Sequence, residues 1–85
     1  MRSQGKVAAI NPRRGMVAIA TEDGGFTIIE LLSEWSLEVG DEITWADRYA
    51  LGHEVYRNVT QQTEDEVFVQ NHDVSRSHLQ AQLLF

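Results

Sequence analysis

Turn-forming residues interrupt this chain so often that little room is left for helices before residue 60. Asn11-Pro12 and the run from Asp23 to Gly25 are the clearest, because proline stops a helix and Asp-Gly and Gly-Gly supply the positive φ angles of tight hairpin turns. The stretches between the turns alternate in polarity or are rich in β-branched residues, as β-strands are. The sequence therefore predicts an all-β fold, with strands at residues 5–10, 15–21, 26–31, 42–46 and 53–60.

The length of the chain limits how these strands can be arranged. With 85 residues, 42% of them hydrophobic, there is room for one hydrophobic core and one domain. Closure into a barrel removes the vulnerable edges of a small sheet. We therefore expect residues 1–60 to form a small closed or nearly closed five-stranded barrel. In this barrel Val17 and Ile19 share one face of their strand, and Trp35 plugs one end next to a helical turn capped by Ser33.

The last part of the chain, residues 61–85, follows a different pattern and is predicted to be an extension packed on the same domain. A short strand is expected at residues 67–69, and a helix over residues 74–84 with Asp73 as its N-cap. The apolar residues of this helix do not form one stripe, because Leu79 and Leu83 lie on one side and Val74 on the other. Either the helix is sandwiched between two surfaces or it frays before its end.

Composition argues against several functional classes. The chain has no cysteine, which removes disulfides, thiolate catalysis and cysteine-bound zinc. Its histidines lack the spacing of a metal site, and there is no phosphate-binding glycine loop or catalytic triad, so we expect no enzyme activity, no metal and no cofactor. No apolar run is long enough to cross a membrane and no secretory signal is evident, so we expect a cytoplasmic protein. The three histidines are His53, His72 and His78.

Charge is distributed unevenly along the chain, whose net charge is −6. Residues 1–15 contain four basic side chains and no acidic one, whereas residues 16–47 contain eight acidic side chains and no basic one. A polyanion is repelled by the molecule as a whole, and only the first hairpin would attract it.

The motifs of the first 60 residues resemble the cold-shock domain, a five-stranded barrel of the OB type. The resemblance rests on G-K-V-A-A-I-N-P-R-R-G-M-V-A-I, then D-G-G, then L-E-V-G-D-E-I-T-W, then N-V-T, and it covers residues 5–60. The positions that match the first motif of the family are Gly5, Val7, Asn11, Arg14, Gly15 and Ile19. The resemblance implies a barrel that binds single-stranded nucleic acid on the outer surface of its first three strands.

The aromatic residues on which that family stacks bases are missing from this sequence. The family's K-W-F is here the run from Ala8 to Ile10, and its two phenylalanines are Met16 and Ala18. In one of two possible registers, Glu30 stands where the family has a histidine. Each stacked base contributes on the order of 1–3 kcal/mol, so losing three stacks weakens binding more than a hundredfold.

An apolar patch is left where the family has its nucleic-acid surface, and three interpretations of it are open. The C-terminal extension folds back over it, a protein partner or second copy binds it, or it retains some contact with nucleic acid. For protein contact or self-association the predicted residues are Ala9, Met16, Ala18, Ile28 and Leu31 of the patch, with Leu79 and Leu83 of the C-terminal helix.

The alternative function is weak, salt-sensitive binding of single-stranded RNA or DNA. Basic residues of the first hairpin would contact phosphates, and aromatic residues of the second half would form a relocated stacking surface. The residues predicted for this role are Lys6, Arg13, Arg14, Tyr49, Tyr56 and Arg57.

Overall fold

The computed structural model describes residues 3–84, in which antiparallel strands close into a barrel. Around the barrel the strands follow the order β1-β2-β3-β6-β5-β4, and β1 pairs with both β2 and β4 to complete the circle. The predicted all-β barrel is confirmed. The strands are β1 (Ser3–Asn11), β2 (Met16–Thr21), β3 (Phe26–Leu31), β4 (Glu42–Trp45), β5 (Gly52–Asn58) and β6 (Thr63–Val74).

The sixth strand is the main difference from the five-stranded expectation. β6 is 12 residues long and pairs with β3 on one side and β5 on the other, so the barrel does not end at residue 60. The sequence indicated only residues 67–69. β6 is mostly polar, and Val67 and Val69 are its two residues in the core of the barrel. A recognisable strand pattern is therefore confined to residues 67–69.

The interior of the barrel is filled by one apolar cluster, called the inner cluster below. The rings of Trp45 and Tyr56 stack in parallel at its centre, with centroids 4.7 Å apart. Trp35 packs into it from the connection after β3, and its Nε1 donates a hydrogen bond of 3.0 Å to Thr63 Oγ1. The members of the inner cluster are Val7, Val17, Ile19, Ile29, Trp35, Ile43, Trp45, Tyr56, Val67 and Val69.

The helical turn expected at Ser33 is not formed, because the chain from residue 34 to residue 38 has no regular structure. The Ser33 hydroxyl donates instead to the carboxylate of Asp65 on β6. Ser33 therefore acts as a link between the β3–β4 connection and the barrel rather than as a helix cap.

A buried carboxylate joins the turn before β4 to the end of β5. Asp41 accepts hydrogen bonds from Asn58 Nδ2 at 2.7 Å, Gln61 Nε2 at 2.6 Å and the backbone N–H of Glu38 at 2.9 Å. Burial by itself would raise the pKa of Asp41, but these donors outweigh it and hold the pKa below its ordinary value. The backbone carbonyl of Asp41 also accepts from the N–H of Val7, so this residue ties three elements together.

The C-terminal helix is much shorter than predicted. Val74 is the last residue of β6 and pairs with Phe26, and a 3-10 turn at Arg76–His78 precedes the helix α1 (Leu79–Gln82). Asp73 is not an N-cap but a strand residue with a φ of 55°. Because Val74 belongs to the sheet, the conflict between its side of the predicted helix and that of Leu79 disappears. Among residues 3–84 no helix is long and apolar enough to span a membrane.

Candidate interaction face

A second apolar cluster lies outside the barrel, against the outward side of β1, β2 and β3. We call it the outer cluster, and we call the part that the three strands contribute the outer face. The outer cluster is distinct from the inner one and includes residues from both the strands and the C-terminus. Its buried members are Met16, Ala18, Phe26, Ile28, Val74 and Leu83, with Ala9, Ala20 and Leu79 partly buried against them.

Strand alternation explains how β2 and β3 have two apolar faces. On β2, Val17 and Ile19 share one face, as predicted. That face points into the barrel, while Met16 and Ala18 point out of it. On β3 the same period of two places Ile29 in the inner cluster and Ile28 in the outer one. Each of these strands therefore needs a second covering surface that the barrel does not supply.

A β-bulge at Ala8 brings the end of β1 into the outer face. The register of β1 on β2 pairs Val7 with Ile19 and then Ala9 with Ala18, so Ala8 is the extra residue. Because the bulge reverses the alternation, Ala9 joins Ala18 and its β3 neighbour Ile28 in one row across three strands. Two alanines in that row leave a shallow trough that a larger side chain can fill.

The C-terminal residues 75–84, called the cover segment below, fill this trough. Leu83 is almost completely buried, at 1% exposure, and Leu79 packs beside it from one helical turn earlier. Asn11, itself buried at the end of β1, donates a hydrogen bond of 2.7 Å from Nδ2 to the backbone carbonyl of Leu83. Arg76 holds the start of the segment, with its guanidinium carbon 5.2 Å from the centre of the Phe26 ring.

Of the three interpretations of the apolar patch, the structure therefore shows the fold-back. Met16, Ala18, Ile28 and Leu83 are buried against one another, so a partner reaches them only if the cover segment leaves. Leu31 does not belong to this surface, because it lies three residues from Ile28 and packs against the inner cluster.

The residues proposed for nucleic-acid contact do not form one surface. Tyr56 is fully buried in the barrel, where burial and then the nearby carboxylate of Glu54 raise the pKa of its hydroxyl. It therefore cannot stack on a base. Tyr49 is 61% exposed on the β4–β5 loop, next to Arg48, whose guanidinium carbon lies 5.4 Å from the Tyr49 ring centre. Arg57 lies 4.0 Å from a carboxylate oxygen of Glu64.

The basic residues of the first hairpin are also separated from one another. Lys6 is exposed on β1 and lines a groove of about 430 Å³, and two carboxylate residues, Glu22 and Glu42, line the same groove. Arg13 and Arg14 are exposed on the turn after β1 and line a different cleft, with Leu84 on its wall. Lys6 therefore does not extend the positive surface of the two arginines.

His72 is the histidine with the most contacts, and its role is to hold the β4–β5 loop. Its Nδ1 lies 2.9 Å from Thr27 Oγ1 and its Nε2 lies 3.0 Å from the carbonyl oxygen of Ala50. His53 packs edge-on against Phe68, and His78 lies in the cover segment. Within residues 3–84, no group of three or more histidine or carboxylate side chains is close enough to hold a metal ion.

Sequence reasoning missed three residues that complete the candidate site. Phe26 and Val74, paired across β3 and β6, form the far edge of the outer cluster. Phe26 lies two residues before Ile28, so alternation alone was enough to find it. Asn11 was noted as part of a motif, but no local pattern shows that its amide binds a carbonyl near the C-terminus.

Comparison of the chain with protein-family models, with curated proteins and with solved structures found no match in any of the three. The geometry of the outer face and its cover is therefore the basis on which a function can be inferred.

Proposed function

We propose that this chain is a non-enzymatic binding module whose working surface is the outer face, and that the partner it binds there is a protein segment. The barrel is proposed to be of the OB type and related to the cold-shock domain, with its nucleic-acid surface remodelled for apolar contact. The cytoplasm is the proposed location, since a chain without cysteine has no disulfides that require an oxidising compartment.

One observation supports this function above all others: the outer cluster is separate from the core of the barrel. All six strands close around the inner cluster without help from residues 75–84. The outer face is therefore a second apolar surface that the barrel itself does not need. When the cover segment detaches, the outer face becomes an exposed apolar patch, and exposed patches of this kind are typical of interaction sites.

The cover segment shows which chemistry the outer face accepts. It is a short helix with leucines at positions i and i+4, which is the spacing that places two side chains on one side of a helix. The face adds a polar contact, because the Asn11 amide donates to a backbone carbonyl whatever the side chain of that residue. A short amphipathic helix laid in an apolar groove is a common mode of peptide recognition.

The test is a titration of the 85-residue chain with a synthetic peptide of residues 74–84, monitored through NMR amide shifts. In the wild-type chain the cover segment competes with the peptide at an effective concentration of about millimolar. The titrated chain should therefore bear Leu83→Ala, which weakens this competition. We expect saturable shifts at Met16, Ala18 and Ile28 that change little with salt. A chain bearing Leu84→Ala is the matched control, since Leu84 is half exposed and its loss leaves the cover in place.

A second peptide, in which Leu79 and Leu83 are both replaced by serine, decides whether the shifts are specific. Shifts that are absent with both peptides, or equal for both, would show that the outer face does not recognise a leucine-bearing helix.

The second candidate function is weak binding of single-stranded RNA or DNA. It is supported by the exposed ring of Tyr49 beside Arg48 and by Arg13 and Arg14, which have no carboxylate within 4.0 Å among residues 3–84. A random single-stranded heptamer pool added at low salt should then shift the amides of Arg13 and Arg14. The shifts should vanish with added salt and in the double variant Arg13→Ala, Arg14→Ala. A flat titration at low salt would exclude this function.

A further inference from the structure

The residue that follows Leu83 lies on the wall of a basic cleft. This cleft has a volume of about 680 Å³, and Leu84 lines it together with the turn after β1, namely Asn11, Pro12, Arg13 and Arg14. Asn11 joins the cleft to the outer face, because its amide donates to the carbonyl oxygen of Leu83. A segment that occupies the outer face as the cover does therefore places the residue after its second leucine at this cleft.

The positive charge of the cleft is not matched by the cover segment. Among residues 3–84, Arg13 and Arg14 have no carboxylate within 4.0 Å, whereas Arg57 lies 4.0 Å from a carboxylate oxygen of Glu64. Leu84 is 52% exposed and brings no charge to the two arginines. The position after the second leucine is therefore one where a carboxylate would gain a contact that the cover segment does not make.

One carboxylate lies on the other side of Leu84. Glu30 and Leu84 line a separate groove of about 240 Å³. The Oε1 atom of Glu30 accepts a hydrogen bond of 3.0 Å from Gln70 Nε2 on β6, so this carboxylate already has a donor. Position 84 therefore lies between one carboxylate that is hydrogen-bonded to β6 and two guanidinium groups without an acidic partner among residues 3–84.

The backbone at this position favours the same kind of residue. Leu84 follows Leu83, the C-cap of α1, and has a φ of 62°. A leucine adopts this left-handed conformation at a cost, whereas glycine, asparagine and aspartate adopt it at a lower one. Of these three residues, aspartate is the one that carries a negative charge. The chain's own segment therefore has, at position 84, a residue that matches neither the backbone nor the charge of its surroundings.

We propose that the partner segment recognised by the outer face carries an acidic residue, aspartate above all, directly after the second of its two leucines. This proposal rests on the proposed function and names the chemistry of its partner. The leucines at i and i+4 fill the trough, the Asn11 amide binds the carbonyl of the second leucine, and Arg13 and Arg14 hold the carboxylate. A partner with this sequence makes one contact that the cover segment lacks, and this favours its displacement of the cover.

The net charge of −6 does not prevent such a contact. At physiological ionic strength, charges that are exposed and more than about 8 Å apart are largely screened from one another. A single carboxylate seated in the cleft therefore responds mainly to the nearby arginines, whereas a polyanion that extends over the surface also meets the acidic residues.

The test compares three peptides of residues 74–84 on the Leu83→Ala chain: the natural sequence, Leu84→Asn and Leu84→Asp. All three end in an amide, so that no terminal carboxylate reaches the arginines. Asparagine and aspartate match in size and both tolerate the left-handed backbone, so these two peptides differ in charge. At low salt we expect the aspartate peptide to bind roughly threefold more tightly than the asparagine peptide, as is typical of exposed ion pairs. The advantage should disappear at high salt, and NMR amide shifts measure the affinities.

Two variants of the titrated chain locate the charge that is recognised. Replacing both arginines of the cleft, Arg13→Gln and Arg14→Gln, should abolish the preference for aspartate and leave the affinity for the asparagine peptide unchanged. Arg57→Gln is the matched control, because this arginine lies beside Glu64 on β5, and it should leave the preference as it is. A preference that survives the loss of Arg13 and Arg14 would show that the charge is recognised elsewhere and would overturn the proposal.

The acidic-residue proposal and the proposed function fail in different ways. If all three peptides bind, but the asparagine and aspartate peptides bind equally at low salt, the outer face recognises a leucine-bearing helix and the acidic residue is excluded. If none of the three peptides binds, the proposed function is wrong, and the partner chemistry derived from it is wrong as well.

Discussion

The inner and outer clusters share the same strands but differ in what closes them. The inner cluster is enclosed by six strands whose backbone hydrogen bonds form a continuous ring. The outer cluster is enclosed by a four-residue helix, which has no stability of its own, together with one buried side-chain hydrogen bond. Ile28 and Ile29 are adjacent on β3 and equally buried, at 0% exposure, yet one belongs to each cluster. Low exposure alone therefore does not show which part of this protein can open.

The difference shows how one small barrel can combine a permanent core with a removable cover. Opening the inner cluster requires the ring of strands to break, which is global unfolding. Opening the outer cluster requires only the cover segment to detach, which is a local event. The outer face is therefore the apolar surface that opens at the lower cost, and this is why we propose it as the interaction site.

The largest effect is expected from matched substitutions of the two isoleucines on β3. Ile29→Ala leaves a cavity that the closed barrel cannot fill, and its cost should lie near the upper end of the range of about 2–5 kcal/mol for such changes. Ile28→Ala should cost close to the lower end, about 2 kcal/mol, because the cover segment can move into the space. Urea denaturation measures both free energies of unfolding. Equal losses in the two variants would contradict the distinction between the clusters.

A smaller and local effect is expected from Leu83→Ala. Loss of this side chain should weaken the closed arrangement by about 2–3 kcal/mol, which is roughly a hundredfold in how often the segment detaches. Trypsin should then cleave after Arg76 much faster than in the wild-type chain, while cleavage after Arg57 on β5 is unchanged in the same sample. Mass spectrometry of the fragments measures both rates.

Leu84→Ala provides the control for this experiment, since the side chain of Leu84 is half exposed and next to Leu83 in sequence. It should leave the cleavage rate at Arg76 as it is. If Leu84→Ala accelerates cleavage as much as Leu83→Ala, the trough does not hold the segment through Leu83.

The smallest effect is expected at low pH, where the barrel should lose the stability that the Asp41 carboxylate contributes. Because the pKa of Asp41 is lower in the folded chain, its stabilising contribution is complete above its ordinary value of 3.8 and is lost as the pH falls through the lowered value. Asp41→Asn removes this titration, so the stability gap between the wild-type and variant chains should be about 2 kcal/mol at neutral pH and shrink in acid. Denaturation at a series of pH values measures the gap. A gap that stays constant from neutral pH to pH 2 would show that the carboxylate charge does not stabilise the barrel.

Local patterns predicted the first three strands well. The bounds of β3 are those expected, and those of β1 and β2 differ by at most two residues at either end, because glycine and proline mark the turns between them. The inward-facing residues of β5 were harder to predict. Val55 and Tyr56 are adjacent and both apolar, so a period of two does not say which of them faces inward. The structure places Tyr56 inside, where it stacks on Trp45, and this removes it from the predicted nucleic-acid contacts.

Turn residues and a period of two are properties of neighbouring positions, so the sequence by itself determined that this chain forms short strands with two apolar faces. It did not determine which of the two faces becomes the interior or what covers the other one. Those outcomes depend on the closure of β3 by β6 and on the contact between Asn11 and Leu83, which are 72 positions apart. Only the tertiary structure decides such contacts, because they arise from packing between distant segments and leave no periodic trace in either of them.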